Sequence, residues 1–574
     1  MQSTQFLQKL QWQSVCLDAA PDRLALLKLT CAWSLRTVNV RVHRNHAFEF
    51  VQSPTQTFLA YGGLQAAWTL SDYDDSLSFN SLTSDGDAEV MDAELVWLDF
   101  GHYAIDARAL QDWLSGRLAY LRARSNAPIL LTGPLPSDAV DARAIMQAAA
   151  AVPGVHVLDM CEPAKQLGSR FLDLPRAIFQ GTRFSRQAQL LLAQWLGLKW
   201  LPAAVSPRLK ALAIDLDNTL YKGVLGEDGP AGLELTDGHR LLQESLVRLG
   251  EQGILLAVVS KNETADVERM FALRSDFPLR PEHLAGIKAN WLPKSDNIAA
   301  LASGFNIAPS TFALIDDNPG ELFAAATAIP GLAILHASDN ASTTAGHLAL
   351  FPGLISFGID RTDALRGADV RAAAERASAS APQDPAAYLA ALETRVFLQA
   401  RPHDRYKRLC DLPLKTNQFN LALRRLREGE VMRFLEAADH CVVSFDLKDK
   451  LSDSGNVGAV YVRADAAVLV VEELCVSCRA LGRSIEDVMI GESLSLAAST
   501  LGGRYDSIEF VYRHGPRNAP ARAWLARLAG AKVENSEETG DEAPLLALRL
   551  PFATLRDLCA MRASMPASFV SVIE

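Results

Sequence analysis

A chain of 574 residues, at roughly 100–200 residues per domain, predicts about three to five domains. With 49% hydrophobic and 21% charged residues it reads as globular, and 67 acidic against 56 basic residues (net −11) argue against broad contact with nucleic acid or an anionic membrane. Eight dispersed cysteines read as reduced thiols, and neither a signal-peptide pattern nor an apolar run of ~18 residues occurs, so a cytoplasmic protein without membrane contact is expected.

Residues 1–206 alternate short apolar runs with amphipathic stretches: VWLDF (96–100), ALQDWLSGRLAYLRAR, APILLTGPLP and VPGVHVLDM. Strand, helix, strand, turn and strand is a βαβ rhythm, predicting an α/β domain. The rhythm restarts at ALAIDLDNTL (211–220) and continues through ILLAVVSKN (254–262) and TFALIDDNPG (311–320), a second α/β domain over 207–360. Each of these strands ends in polar residues, and ligands of open parallel sheets sit at the carboxyl ends of strands, so the three clusters are placed to converge. Residues 361–388 are Ala-rich and Pro-punctuated and predict a linker. From 389 to 574, CVVSFDLKDK, VGAVYVRADAAVLVVEELCVSC and SIEFVYRH alternate with helical patterns, and AAVLVVEELCV suits a central strand.

The strongest chemical signal is IDLDNTL. Asp215 and Asp217, two apart on an extended segment, point the same way. One carboxylate can attack phosphorus and help bind a metal while the other shuttles a proton. Anions this close call for a cation, and Mg²⁺ suits carboxylate and phosphate oxygens. Ser260 offers a hydroxyl to a phosphoryl oxygen, Lys294 a positive charge, and Asp316 and Asp317 further carboxylates.

The order Asp-x-Asp-x-Thr, Ser, Lys, Asp-Asp resembles the haloacid dehalogenase (HAD) superfamily at every motif, which implies a Rossmann-like parallel sheet. By that resemblance Asp215 is the nucleophile, Asp217 the general acid/base, and Thr219, Ser260 and Lys294 hold phosphate. Asp215, Asp217, Asp316 and Asp317 form the metal set. The gaps from Asp217 to Ser260 and from Ser260 to Lys294 leave no room for a large cap domain, so an open site is expected.

DLDNTLYKGVLGEDGPAGLEL, SKN, WLPKSDNI and IDDNPGE resemble, more particularly, the FkbH-like subgroup. KTNQFNLALRR (415–425) and CRALGRSIE (478–486) resemble its second block, an α+β acyltransferase-like domain of the GNAT type. The resemblance implies a glyceryltransferase/phosphatase. It would take 1,3-bisphosphoglycerate, a small phosphorylated three-carbon substrate, remove phosphate, and leave a glyceryl thioester on a phosphopantetheinylated acyl carrier protein in polyketide-type biosynthesis.

Arg479, Gly482, Arg483 and Ser484 precede a helical pattern whose first backbone N–H groups can hold a phosphopantetheine phosphate, although small residues also serve ordinary strand-to-helix turns. Cys478 is a candidate acyl-thioester nucleophile or a small buried hydrophobe; Cys475 reads as the latter. His514, with Asn518 nearby, reads as a base for thiol attack or as a polar turn residue. Asn417, Gln418 and Asn420 carry amides suited either to glyceryl hydroxyls or to turn bonding.

Val259 stands where the subgroup often has a thiol, and Tyr221-Lys222 where it has Trp-Gly. Residues 1–206 resemble a flavodoxin-like or SGNH-hydrolase-like domain but lack a Gly-Asp-Ser start and an Asp-x-x-His end, so a structural or docking role is expected. Transfer of another acyl group to an amine or sugar, and plain phosphatase activity, are the alternative enzyme readings; a scaffold with a fossil site conflicts with the intact motif residues.

Overall fold

The computed structural model describes residues 3–79, 90–357, 366–367, 369–372, 392–416, 418–477, 480–481, 485–515, 518–530, 543–560 and 567–573. The chain forms two compact units, Met1–Leu301 with Ala308–Gly358, and Ala302–Ile307 with Ile359–Glu574. Most of the predicted linker, 361–388, lies outside the described residues.

The first unit holds two five-stranded parallel sheets. Strands β1 (Arg36–Arg44), β2 (Leu64–Tyr73), β3 (Ala93–Trp97), β4 (Ile129–Thr132) and β5 (Val155–Leu158) are ordered β2-β1-β3-β4-β5, the flavodoxin-like order. Strands β3 and β4 are buried at every residue, because helices cover both faces and alternation has no use there. Within β3 the fully buried Glu94 is matched by His43 at 3.0 Å and Arg41 at 3.6 Å. Beyond the carboxyl ends of these strands Arg183 bridges Asp99 (2.6 Å) and Asp138 (2.5 Å), so side chains of this chain fill that end of the sheet.

The second sheet comprises β6 (Ala211–Ile214), β7 (Leu255–Ser260), β8 (Leu284–Ala289), β9 (Phe312–Asp316) and β10 (Ala333–His336), ordered β10-β9-β6-β7-β8 and wholly parallel. The chain runs outward from β6 through β7 to β8, then crosses to β9 and β10. The direction of winding therefore reverses between β6 and β9, a topological switch point. One hydrophobic core is continuous across both sheets, joining Trp12, Val40 and Trp97 to Leu212, Ile315 and Leu348. The helix Ser3–Cys16 reaches the second sheet, with Phe6 against Phe323 at 5.2 Å between ring centroids.

The second unit is an α+β arrangement on one mixed sheet. Its strands are β11 (Thr394–Ala400), β12 (Phe419–Asn420), β13 (His440–Lys448), β14 (Asp453–Asp465), β15 (Val468–Val476), β16 (Ser507–Arg513), β17 (Leu545–Pro551) and β18 (Ala567–Ile573). The order is β17-β16-β15-β14-β13-β11-β18, with β12 beside β15; only β15/β16 and β11/β18 are parallel. Strands β15 and β16 pair only from Val468–Val471 to Ser507–Phe510. Past that point Leu421 lies between them: its N–H donates to the Leu474 carbonyl and its carbonyl accepts from Arg513 N–H, both at 3.0 Å. Among the described residues no helix is long and apolar enough to cross a membrane.

Candidate active site

The buried strand β6 delivers Asp215 one residue past its end, where Asp215 N–H donates to the Ile315 carbonyl (3.0 Å) and so extends the β6/β9 ladder. That bond sets Asp215 beside Asp316, the last residue of β9, at the switch point. Lys294, at the start of the helix Lys294–Gly304, places Nζ 2.7 Å from Asp215 Oδ1 and 2.5 Å from Asp316 Oδ2. All three side chains are buried. Asp215, Asp316 and the partly buried Asp317 each bring a carboxylate oxygen within 4.8 Å of the others.

Three carboxylates against one ammonium leave a surplus of negative charge in a desolvated place. Burial pushes the Asp215 carboxyl up to about 6, against the pull of Lys294 and with the repulsion of Asp316. Burial also raises Asp316 and Asp317, and Asp215 adds to the rise at Asp317. The Lys294 ammonium is raised: burial opposes the charge, but Asp215 and Asp316 outweigh it. An all-oxygen donor set with excess anionic charge suits a hard divalent cation such as Mg²⁺.

Asp217 stands outside this cluster, contrary to the sequence expectation of a fourth metal carboxylate. Its Oδ1 accepts from Tyr221 Oη–H (2.8 Å) and Leu225 N–H (3.0 Å), and its Oδ2 from Asn262 Nδ2 (2.9 Å). Asn218 makes the turn possible by adopting φ +52°, a conformation Asn tolerates, and its Oδ1 accepts from Gly223 N–H. Ser260 ends β7 and is 1% exposed, its Oγ meeting Asn262 Nδ2 at 3.0 Å. Thr219 is equally buried, and its Oγ1 has no hydrogen-bond partner among the described residues. A buried hydroxyl without a partner is costly unless a ligand supplies one. The structure thus gathers Asp215, Lys294, Asp316 and Asp317 into one cluster and, on the turn that follows Asp215, ties Asp217 to Ser260 through Asn262, with Thr219 buried on that same turn.

Three contributors escaped the sequence. Asn262 ties the β7 end to the Asp217 turn, and Tyr221, noted only as a departure, is a buried donor to Asp217 stacked on Phe277. Gln13, on the first helix, brackets the edge of β10: Nε2 donates to His336 O (2.8 Å) and Oε1 accepts from His336 N–H (2.9 Å). His336 in turn donates from Nε2 to the Asp317 carbonyl at 2.9 Å, fixing the tautomer. The support reaches the main chain that carries the candidate ligand Asp317 and not its carboxylate, so its loss should cost no more than the low end of the range for direct partners of a metal ligand, about tenfold. Gln13→Ala is therefore expected to weaken Mg²⁺ binding about tenfold by calorimetry. Phe6→Ala, which loosens the same helix without touching His336, should leave that affinity unchanged.

In the second unit Asn417, Cys478, Arg479, Gly482, Arg483 and Ser484 lie outside the described residues. Gln418 and His514 are partly buried, His514 immediately after β16. Asn420 corrects the expectation of an acyl-binding amide: its Nδ2 donates to Pro413 O and Thr416 O and its Oδ1 accepts from Leu423 N–H, so the amide fastens its own loop. Asn518 is likewise spent, on Asn420 O, Leu421 O and Arg513 O. Cys475 is fully buried, and burial pushes its thiol up, as expected of a small core residue. Glu473, unremarked in the sequence, is fully buried, accepts from three backbone N–H groups (Ala422, Arg424, Leu474), and is pushed up by burial to about 7.

Fold and site together define an α/β protein with a buried, cation-seeking carboxylate cluster at a sheet switch point. The sequence matches no family model and no curated protein. Among solved structures it is similar to the N-terminal part of the protein BF1531 from Bacteroides fragilis, described as containing a phosphatase domain complexed with Mg. The identity is 17% over 60% of this chain and 99% of that one, with a TM-score of 0.45. It is also similar to an uncharacterized protein from Corynebacterium glutamicum, at 16% identity over 25% of this chain and 96% of that one, with a TM-score of 0.19.

Proposed function

We propose that the first unit is a Mg²⁺-dependent phosphoryl-transfer enzyme of the HAD type. The observation that carries the reading is the buried Asp215–Lys294–Asp316 triad with Asp317 at its edge. Asp215, Asp316 and Asp317 would hold the cation, which when bound neutralises charge on the phosphoryl oxygens.

Asp215 attacks phosphorus, forming an Oδ–P bond as the bond from phosphorus to the leaving oxygen breaks. Asp217 gives its proton to that oxygen, then takes one from the water that attacks the aspartyl phosphate, releasing inorganic phosphate and restoring both carboxyls. Ser260 and Thr219 offer hydroxyls and Lys294 its ammonium to the phosphoryl oxygens. Tyr221 holds Asp217 in register. Tyr221→Phe leaves Oδ1 with Leu225 N–H alone and should lower kcat about tenfold with little change in KM, measured by steady-state phosphate release.

The finer reading rests on the FkbH-like motifs: 1,3-bisphosphoglycerate as substrate, and a phosphopantetheinylated acyl carrier protein as acceptor of the glyceryl group. Incubating the full chain with both and with Mg²⁺, then recording intact masses, tests it. A glyceryl adduct on the carrier is expected; free phosphate with an unmodified carrier would reduce the function to phosphatase activity.

A further inference from the structure

The segment 171–185 of the first unit is a preformed arm. Its base is stitched by the antiparallel bridge Leu172↔Phe184, with Asp173 N–H on Arg183 O (2.8 Å) and Ser185 N–H on Phe171 O (2.9 Å). Its tip is the short helix Ala177–Gln180, closed by Gly181 at φ +62°, whose carbonyl accepts from Ala47 N–H (2.8 Å). On that tip Ile178 is 90% and Phe179 87% exposed, and Leu174 nearby is 64% exposed. Large apolar side chains held this far into water on a stitched frame are the mark of an interaction site, and a fixed frame lowers the ordering cost of binding.

Beside the tip, with Gln180 in its wall, lies a cavity of ≈ 840 Å³ lined by Arg23, Arg170 and Arg186. None of these guanidinium groups has a carboxylate partner among the described residues. One acid, Asp22, shares the wall: its Oδ1 caps the helix Arg23–Leu27, and its single charge leaves the three arginines in excess. The surface therefore asks for apolar side chains ringed by carboxylates. A second copy does not answer: across a two-fold axis it brings the same surface, with the same excess of arginines and no ring of carboxylates.

We propose that this arm and its arginine-lined cavity dock the acyl carrier protein, a small, acidic, helical partner; the assignment rests on the carrier reading of the preceding section. The test titrates labelled phosphopantetheinylated carrier protein with the full chain and follows fluorescence anisotropy. Ile178→Glu with Phe179→Glu, and separately Arg170→Glu with Arg186→Glu, should each weaken binding at least tenfold. Wild-type affinity should fall as salt is raised, while Mg²⁺-dependent phosphate release from a small substrate stays unchanged and shows that the variants are folded. Wild-type affinity in both variants, with carrier acylation intact, overturns the docking surface and leaves the carrier reading standing. Neither binding nor acylation by the wild type overturns the carrier reading and the docking surface with it. A concentration-dependent dimer abolished by the Ile178/Phe179 variant assigns the arm to self-association and overturns the proposal.

Discussion

Asp215→Asn is expected to abolish Mg²⁺-dependent phosphate release, by about 10³-fold or more, and at the same time to stabilise the metal-free protein near neutral pH. The first effect follows from the loss of the attacking oxygen; equal phosphate release by both proteins would remove Asp215 from the nucleophile role. The second follows from burial. The folded-state pKa of Asp215, about 6, lies above its ordinary value of 3.8. A carboxyl raised in this way favours the fold fully below 3.8, and the contribution is lost as pH rises through 6. At pH 7.5 the metal-free fold therefore carries an ionised, desolvated carboxylate at a cost of about 3 kcal/mol relative to pH 3.8. Asparagine keeps the shape and drops the charge. In chelator, denaturant unfolding of the two proteins from pH 4 to 7.5 should show the variant gaining about 3 kcal/mol on the wild type. Added Mg²⁺ should recover most of that difference for the wild type alone, because only the carboxylate favours the cation.

The strands that carry this chemistry were legible because their sequences are extreme. ALAI, LLAVVS and FALID are apolar runs buried at every residue, each leading into polar groups, and a parallel sheet covered on both faces permits little else. The resemblance of residues 1–206 to a flavodoxin-like domain meets a sheet of that strand order. The supports were not legible, because they depend on distance. Gln13 and His336 are 323 residues apart, and nothing in a helical pattern marks one glutamine as the clamp of a sheet edge. The core, too, is continuous across the two sheets, whereas the pattern of the sequence shows only where the βαβ rhythm restarts. Asn262 and Tyr221 lie next to recognised motifs, but their roles exist only once the Asp217 turn closes. Asn420 shows the opposite failure: an amide in a suggestive block turned out to satisfy buried carbonyls, as buried amides commonly must.

Lys294→Met should be the most damaging single change to the stability of the site, and should lower the rate as well. With Nζ within 2.7 Å of Asp215 and 2.5 Å of Asp316, Lys294 is the one cation contacting these two buried carboxylates among the described residues. Methionine fills a similar volume and leaves both anions unpaired. Breaking a buried ion set from one side costs about 3–5 kcal/mol, more than the set itself contributes over an apolar replacement. The loss must depend on pH. Without the ammonium both carboxyls rise further, so the variant is most stable where they are protonated and weakens as pH climbs through those higher values. Unfolding in chelator at pH 5 and pH 8 should therefore separate variant from wild type far more at pH 8. Asp316→Asn in the same chain should restore much of the stability by removing one unpaired anion, a coupling that a double-mutant cycle isolates. It should not restore phosphate release, which stays about 10³-fold down because the charge facing the phosphoryl oxygens is still missing. A Lys294→Met protein whose stability tracked the wild type at both pH values would show that solvent, and not this lysine, balances the carboxylates. The site would then be more open to water than its burial implies.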